Sequence, residues 1–347
     1  MLLADMGADV VLVEEATPPT GRRAATQPMT DEEAARNALR RGKRSIHLDL
    51  KSDTGKKVFA ALADRADVVL EGFRPGVVQR LGIDYETIAA RNPRIVYCSL
   101  SGYGQTGPYA SLVGHDLDYI ALAGALSMIG REGQPPAIPL NLLADLAGGG
   151  LMAAYAIVLA LFARERLGRG QYIDLAMTDG VLSLLTRAAS QRLAGGPMPT
   201  PGRDRITGAL PHYDVYACKD GRYLAIAPLE PWFLENLEKK LGIERATKER
   251  LTALFEEKTR DEWFAFLRDA DTCVAPVLDL DEALADPHHV SRGMRIEVEH
   301  PTYGKIPMVG PMPKLSETPA SVRGAGPRPG EHTKEILEEL GYRGGTV

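Results

Sequence analysis

The chain has 347 residues, 44% hydrophobic and 25% charged. That is the make-up of an ordinary soluble globular protein, and the length suggests two domains rather than one core. A formal net charge of −5 argues against a nucleic-acid or polyanion surface. The three scattered cysteines, Cys98, Cys218 and Cys273, give neither a disulfide framework nor a C-x-x-C metal pair, so a reducing, cytoplasmic setting without structural zinc is the expectation.

Met1 to Met6 reads as the end of a helix stopped at Gly7, and Ala8 to Glu14 (ADVVLVE) as a strand buried on both faces. A chain that opens inside a helix is expected to begin one strand late. No basic segment precedes Met1-Leu2-Leu3 and Asp5 follows at once, so no signal peptide is expected. Residues 16–42 are polar and rich in Pro, Gly and Arg, which predicts a long loop. A strand is expected over 46–50, a helix from Lys51-Ser52-Asp53 to about Ala63, and a strand over 66–70. After the turn Glu71-Gly72-Phe73-Arg74-Pro75-Gly76 come a short helix over 77–81 and a fourth strand over 94–99. Strands alternating with helices predict a parallel sheet, with ligands at the carboxyl ends of its strands.

Leu146 to Ala163 is apolar but interrupted by three glycines and bounded by Asp145 and Arg164-Glu165-Arg166. It falls short of the ~20 clean apolar residues of a span, so a buried helix and no membrane association are expected. A strand over 170–175 and a helix over 178–194 follow, then a Pro/Gly-rich linker over 195–208. Residues 213–218 and 222–227 flank Lys219-Asp220-Gly221, a hairpin signal. Amphipathic helices over 232–241 and 261–268 complete a smaller α+β domain, and a last helix is expected over 333–340.

The organising stretch is Gly114 to Gly150. It opens with Gly114-His115-Asp116-Leu117-Asp118-Tyr119 and closes with Asn141 to Asp145 and Gly148-Gly149-Gly150. His115 reads either as a structural histidine or as an acid/base. Asp116 reads as a cap of the helix at Leu117 or as an orienter of the imidazole. Asp145 reads as the N-cap of the apolar helix, as a catalytic carboxylate, or as both. The helix end beside it is where donors for an enolate or oxyanion are expected. Three glycines there weaken the helix by roughly 1 kcal/mol each relative to alanine, a cost easier to understand where another group approaches closely. Arg41, Lys43, Arg44 and Lys51 read as phosphate neutralisers or as a solvated basic loop. Gly102-Tyr103-Gly104-Gln105-Thr106-Gly107 fits G-x-G-x-x-G but is followed by Pro108, so a sharp turn is expected rather than a dinucleotide site. His288-His289 has no third ligand nearby, and Glu230 lies in the rigid turn Pro228-Leu229-Glu230-Pro231.

In order along the chain, Arg41-Gly42-Lys43-Arg44-Ser45-Ile46, Leu48-Asp49-Leu50-Lys51, Gly72-Phe73-Arg74-Pro75-Gly76 and Ser101 to Pro108 resemble the family III CoA-transferase superfamily. Gly114-His115-Asp116, Asn141 to Gly150 and Ala227 to Pro231 resemble its alpha-methylacyl-CoA racemase branch. The resemblance implies an α/β fold: a Rossmann-like large domain (1–194, completed by 306–347), a linker (195–208) and a small α+β domain (209–305), in two chains interlocked as a homodimer. It implies that His115 and Asp145 are the acid/base pair that epimerises 2-methylacyl-CoA thioesters of fatty-acid and lipid metabolism through an enolate. Glu230 is implied to be brought near the site by the partner's small domain. Leu48, Asp49, Leu50, Lys51, Gly72, Phe73, Arg74 and Arg80 are implied to bind CoA, and Gly114, Asp116, Leu117, Asp118 and Tyr119 to run along the thioester and pantetheine. No metal and no separate cofactor is implied, CoA being part of the substrate. The alternatives are a CoA transferase with Asp145 as nucleophile and an inactive truncated paralogue. One departure stands out: Glu15 occupies the place of an arginine that contacts CoA phosphate, with Arg22 or Arg23 as possible substitutes.

Overall fold

In the computed structural model, which describes residues 1–15 and 29–342, the β-branched runs become strands: β1 (Val11–Glu14), β2 (Arg44–His47), β3 (Val68–Glu71), β4 (Val96–Ser101), β5 (Gln171–Ala176), β6 (Asp214–Ala217), β7 (Tyr223–Ile226), β8 (Val274–Pro276), β9 (Arg295–His300) and β10 (Gly304–Val309). The chain divides into two units. The first comprises Met1–Val113, Leu146–Met177 and Ala283–Val347, the second Gly114–Asp145 and Thr178–Glu282. This differs from the expected boundaries. Residues 114–145 and 178–194 fall with the second unit, and 283–305 with the first. The β9–β10 hairpin explains the latter, because Val298, Ile306 and Met308 share a core with Ala35.

The first unit is α/β. The single parallel sheet expected is two: β1 beside β2, and β3-β4-β5, all parallel within each sheet. No strand among the described residues joins them. Helix Asp53–Arg65 starts at Ser52, whose hydroxyl accepts the Gly55 amide at 2.9 Å. Gly55 is obligatory, since a Cβ there would lie 2.0 Å from the Asp49 carbonyl oxygen. The C-terminal helix Thr333–Glu339 packs Ile336 and Leu337 against Ile46, Leu48 and Val58. The start of this helix is tied to β2, with the His332 amide on the Ser45 carbonyl (2.9 Å) and the His47 amide on Thr333 Oγ1 (3.0 Å).

The second unit carries the antiparallel sheet β6-β7-β8. The expected hairpin pairs Ala217 with Tyr223. Helices Pro231–Leu241, Lys248–Phe255 and Arg260–Leu267 close its core around Leu224, Ile226, Leu237, Phe255 and Trp263.

Four expectations are corrected. Within the loop expected over 16–42, residues 31–36 are helical. Thr30 and Glu33 form a capping box, in which Thr30 Oγ1 accepts the Glu33 amide (3.2 Å) and Glu33 accepts the Thr30 amide (2.7 Å). Arg22 and Arg23 lie outside the described residues. The helix expected over 178–194 is broken at Leu185 into Met177–Leu184 and Thr186–Leu193. The apolar helix begins at Leu142, not after Asp145, and runs to Leu167. It is long and apolar enough to cross a membrane, and only 28% of its most apolar stretch is buried within the chain, so it is not the buried helix expected.

The fourth correction concerns the basic turn. Arg41 is 1% exposed and forks onto Asp5, Nε to Oδ1 at 3.0 Å and Nη2 to Oδ2 at 2.6 Å, while Nη1 donates to the Val309 carbonyl. Arg44 is engaged by Asp9 (2.7 Å) and Glu339 (2.8 Å). These arginines hold the first unit together and are not free for phosphate. Leaving one buried charge without its partner costs about 3–5 kcal/mol. Arg41→Met and Asp5→Ala are therefore each expected to lower stability by that amount, read as a fall in the urea midpoint at unchanged slope. A double variant that is no more stable than either single one would contradict the pairing.

Candidate functional site

The site residues His115, Asp116 and Asp145 lie in two short segments of the second unit, 114–122 and 142–145. Helix Asp116–Leu122 opens at His115, which is in the extended conformation and gives its backbone amide to Asp118 Oδ2 at 2.9 Å. The Tyr119 hydroxyl donates back to the Gly114 carbonyl at 2.5 Å. Both bonds fix the turn that carries His115, which is exposed.

The second segment is the start of the long apolar helix. Leu142–Leu151 is π-helical, becoming α-helical from Met152. A π-helix bonds each amide to a carbonyl five residues back, so its first turn leaves more amides without an internal partner than an α-helix does. Gly148-Gly149-Gly150 follow at once, and the low helix propensity of glycine makes this wider turn less costly. Asp145 is therefore inside the first turn and not its N-cap. It is half-buried, and Asn141 Nδ2 donates to its Oδ2 at 3.3 Å.

Asp116 joins the two segments. The residue is 4% exposed. Oδ1 accepts two consecutive backbone amides, Ala144 at 2.8 Å and Asp145 at 2.7 Å. Oδ2 is buried, with no hydrogen-bond partner among the described residues. Of the two roles weighed for Asp116, the structure gives neither: it caps the other helix. The amides of Ala144 and Asp145 are consequently taken and not available to an enolate oxygen. With standard bond lengths, these contacts hold the α-carbons of His115 and Asp145 within about 12 Å.

Glu230 is the residue before helix Pro231–Leu241 and is exposed, making no cap bond with its side chain. Among the described residues no hydrogen bond or ion pair joins it to His115 or Asp145 of the same chain. Cys273 lies close to it, and burial, then the Glu230 charge, push that thiol up from its ordinary value.

The segments expected to bind CoA lie in the first unit. Leu48 is buried, and both it and Leu50 pack in the core, which leaves the backbone of this turn rather than its leucines to meet a ligand. Asp49 Oδ1 accepts the Lys51 amide at 2.9 Å. Lys51 is exposed and paired with Glu15 at 3.2 Å. Gly72, Phe73, Arg74 and Arg80 are all exposed. Their turn is held by Glu71, a residue not singled out from the sequence. Its Oε2 accepts the Phe73 amide at 2.7 Å, and burial pushes its carboxyl up from its ordinary value against the Ser99 and Phe73 hydrogen bonds. The available signal was an acid ending a β-branched strand just before Gly72-Phe73-Arg74. The G-x-G-x-x-G stretch is a turn as expected, with Gly104 and Gly107 at φ +87° and +91° and no helix opening there. His289 contacts the Ala283 carbonyl at 2.8 Å, and no group of three potential metal ligands occurs among the described residues.

Residues 1–333 match the model of CoA-transferase family III. The chain is 40% identical to human alpha-methylacyl-CoA racemase over 358 residues, 99% of this chain and 88% of that protein. It is 29% identical to human succinyl-CoA:glutarate CoA-transferase over 98% of this chain and 81% of that one. Among solved structures, a CAIB/BAIF family protein from Brucella suis superposes with a TM-score of 0.81 at 30% identity, covering 98% of this chain and 93% of that one.

Proposed function

The chain belongs to CoA-transferase family III, and from that premise we propose that it is an isomerase epimerising 2-methylacyl-CoA thioesters at C2. The observation that carries the reading is the likeness to the human racemase, which extends over almost the whole chain and is closer than that to the human transferase. The reaction requires a base on one face of C2 and an acid on the other. One group takes the C2 proton, the electron pair passes to the thioester carbonyl as an enolate, and the other group returns a proton to the opposite face. His115 and Asp145 are the proposed pair. One side chain accepts the C2 proton, another supplies its replacement, and CoA travels with the substrate, so the proposal invokes no other cofactor.

The proposed CoA contacts are the backbone of Leu48 to Lys51 together with Gly72, Phe73, Arg74 and Arg80, with Gly114 to Tyr119 along the thioester arm. Glu15 already occupies Lys51, but an exposed pair of this kind contributes at most about 1 kcal/mol, and a phosphate can displace it. Glu230 is proposed to act at the site of a second copy in a homodimer. Support for a dimer comes from the apolar helix, where Tyr155, Val158 and Phe162 are 59%, 53% and 61% exposed. A second copy is the occupant we propose for that face.

In deuterium oxide, either hand of a 2-methylacyl-CoA is expected to take up deuterium at C2 and to reach the same mixture. His115→Ala and Asp145→Ala are each expected to slow inversion by roughly 10²–10⁴-fold. Hydroxylamine trapping at Asp145 with an acceptor acid and no C2 exchange would instead identify a transferase.

Glu15→Gln is expected to lower KM for acyl-CoA by about two- to fivefold at low ionic strength, with the gain fading at high salt. A KM that rises would show that Glu15 assists binding. Sedimentation equilibrium is expected to give twice the chain mass, and Phe162→Glu a shift toward monomer with loss of exchange. A monomeric wild type that floats with vesicles would point to a membrane as the occupant of that face.

A further inference from the structure

Asp116 has no place in the proton transfer itself, yet it is the most buried acid of the Gly114 to Asp145 stretch. Its two hydrogen bonds do not go to side chains, which can swing. They go to the backbone of Ala144 and of Asp145, at 2.8 Å and 2.7 Å. The residue before Asp116 is His115. One carboxylate thus stands one peptide bond from the proposed histidine and one hydrogen bond from the main chain of the proposed aspartate.

We propose that Asp116 is the positioning residue that keeps the two proton-transfer groups in register across C2, so that deprotonation on one face is coupled to reprotonation on the other. The proposal rests on the isomerase reading above. A racemase differs from an exchange catalyst in one respect only. The enolate must be reprotonated by the second group before the first group, its proton traded with solvent, returns one to the original face. Two groups held at fixed spacing by a backbone strut favour the former. If His115 or Asp145 shifts by an ångström, the nearer group still removes the proton, but the farther one is late. Misplacement on that scale can cost roughly a hundredfold in the affected step.

The measurement is the ratio of C2 deuterium uptake with retention to uptake with inversion, starting from a single hand of substrate, alongside kcat and KM. Asp116→Ala is expected to raise the ratio at least threefold and to lower kcat for inversion by about 10- to 100-fold, with KM changed far less. Asp116→Asn keeps an acceptor oxygen in the same place and is expected to restore the wild-type ratio. Asp116→Glu keeps the charge but lengthens the strut, and is expected to raise the ratio while melting near the wild type. It decides the matter should the alanine variant not fold. Partial unfolding scales exchange and inversion together and leaves the ratio unchanged, so a folded Ala or Glu variant with the wild-type ratio would overturn the positioning role. A wild type that exchanges no C2 deuterium would overturn the isomerase reading and this proposal with it.

Discussion

The two segments of the candidate site are joined by the contact between one buried carboxylate and two consecutive amides. Two hydrogen bonds to a charged acceptor contribute about 1.5–3 kcal/mol each. Taking a carboxylate out of water costs several kcal/mol even after relaxation. For Asp116, at 4% exposure and with only Oδ1 engaged, these terms nearly cancel. The contact is therefore poorly explained as a source of stability. What it fixes is geometry: the main chain at 115–116 and the main chain at 144–145 can move only together.

The same contact accounts for the irregular helix that follows. An α-helical first turn would point its free amides along the axis. The wider π turns over Leu142–Leu151 leave a longer run of amides without internal partners, and the Asp116 oxygen takes two that adjoin. Gly148 and Gly149 are buried within this stretch, where larger side chains would have to be accommodated. The departure from α geometry, the triple glycine and the buried acid are one arrangement seen in three places. In the first unit Glu71 does for the Gly72-Phe73-Arg74 turn what Asp116 does for Asp145, a buried acid at the end of an element fixing the backbone amide of the next.

Much of this was legible in local pattern. ADVVLVE, ADVVL and RIVYCS declare strands because β-branched runs bounded by turn residues have few other uses, and Lys219-Asp220-Gly221 declares its hairpin. The helix over Val77–Leu81 sits where expected between two left-handed glycines, Gly76 and Gly82. What failed was whatever depends on a partner distant in sequence. Arg41 looks like any surface cation until Asp5 and the Val309 carbonyl come to it from 36 and 268 residues away. Asp145 looks like a cap because an acid before an apolar run commonly is one. It is Asp116, 29 residues upstream, that performs the capping, and no local window contains both. The helix over 31–36 was a different kind of miss, since Thr30-x-x-Glu33 was present and was outweighed by the loop-like composition around it.

The chain is similar to a racemase and to a transferase, and in it the strut fixes the main chain of residue 145. On the isomerase reading proposed above, the carboxylate held there takes a proton; on the transferase reading it attacks the carbonyl. The choice then falls on what stands opposite. Imidazole can take and give a proton near neutral pH, which a two-face proton transfer needs and a nucleophilic carboxylate does not. In this chain the residue next to Asp116 is His115, so the carboxylate bonded to the Asp145 amide stands one peptide bond from the histidine.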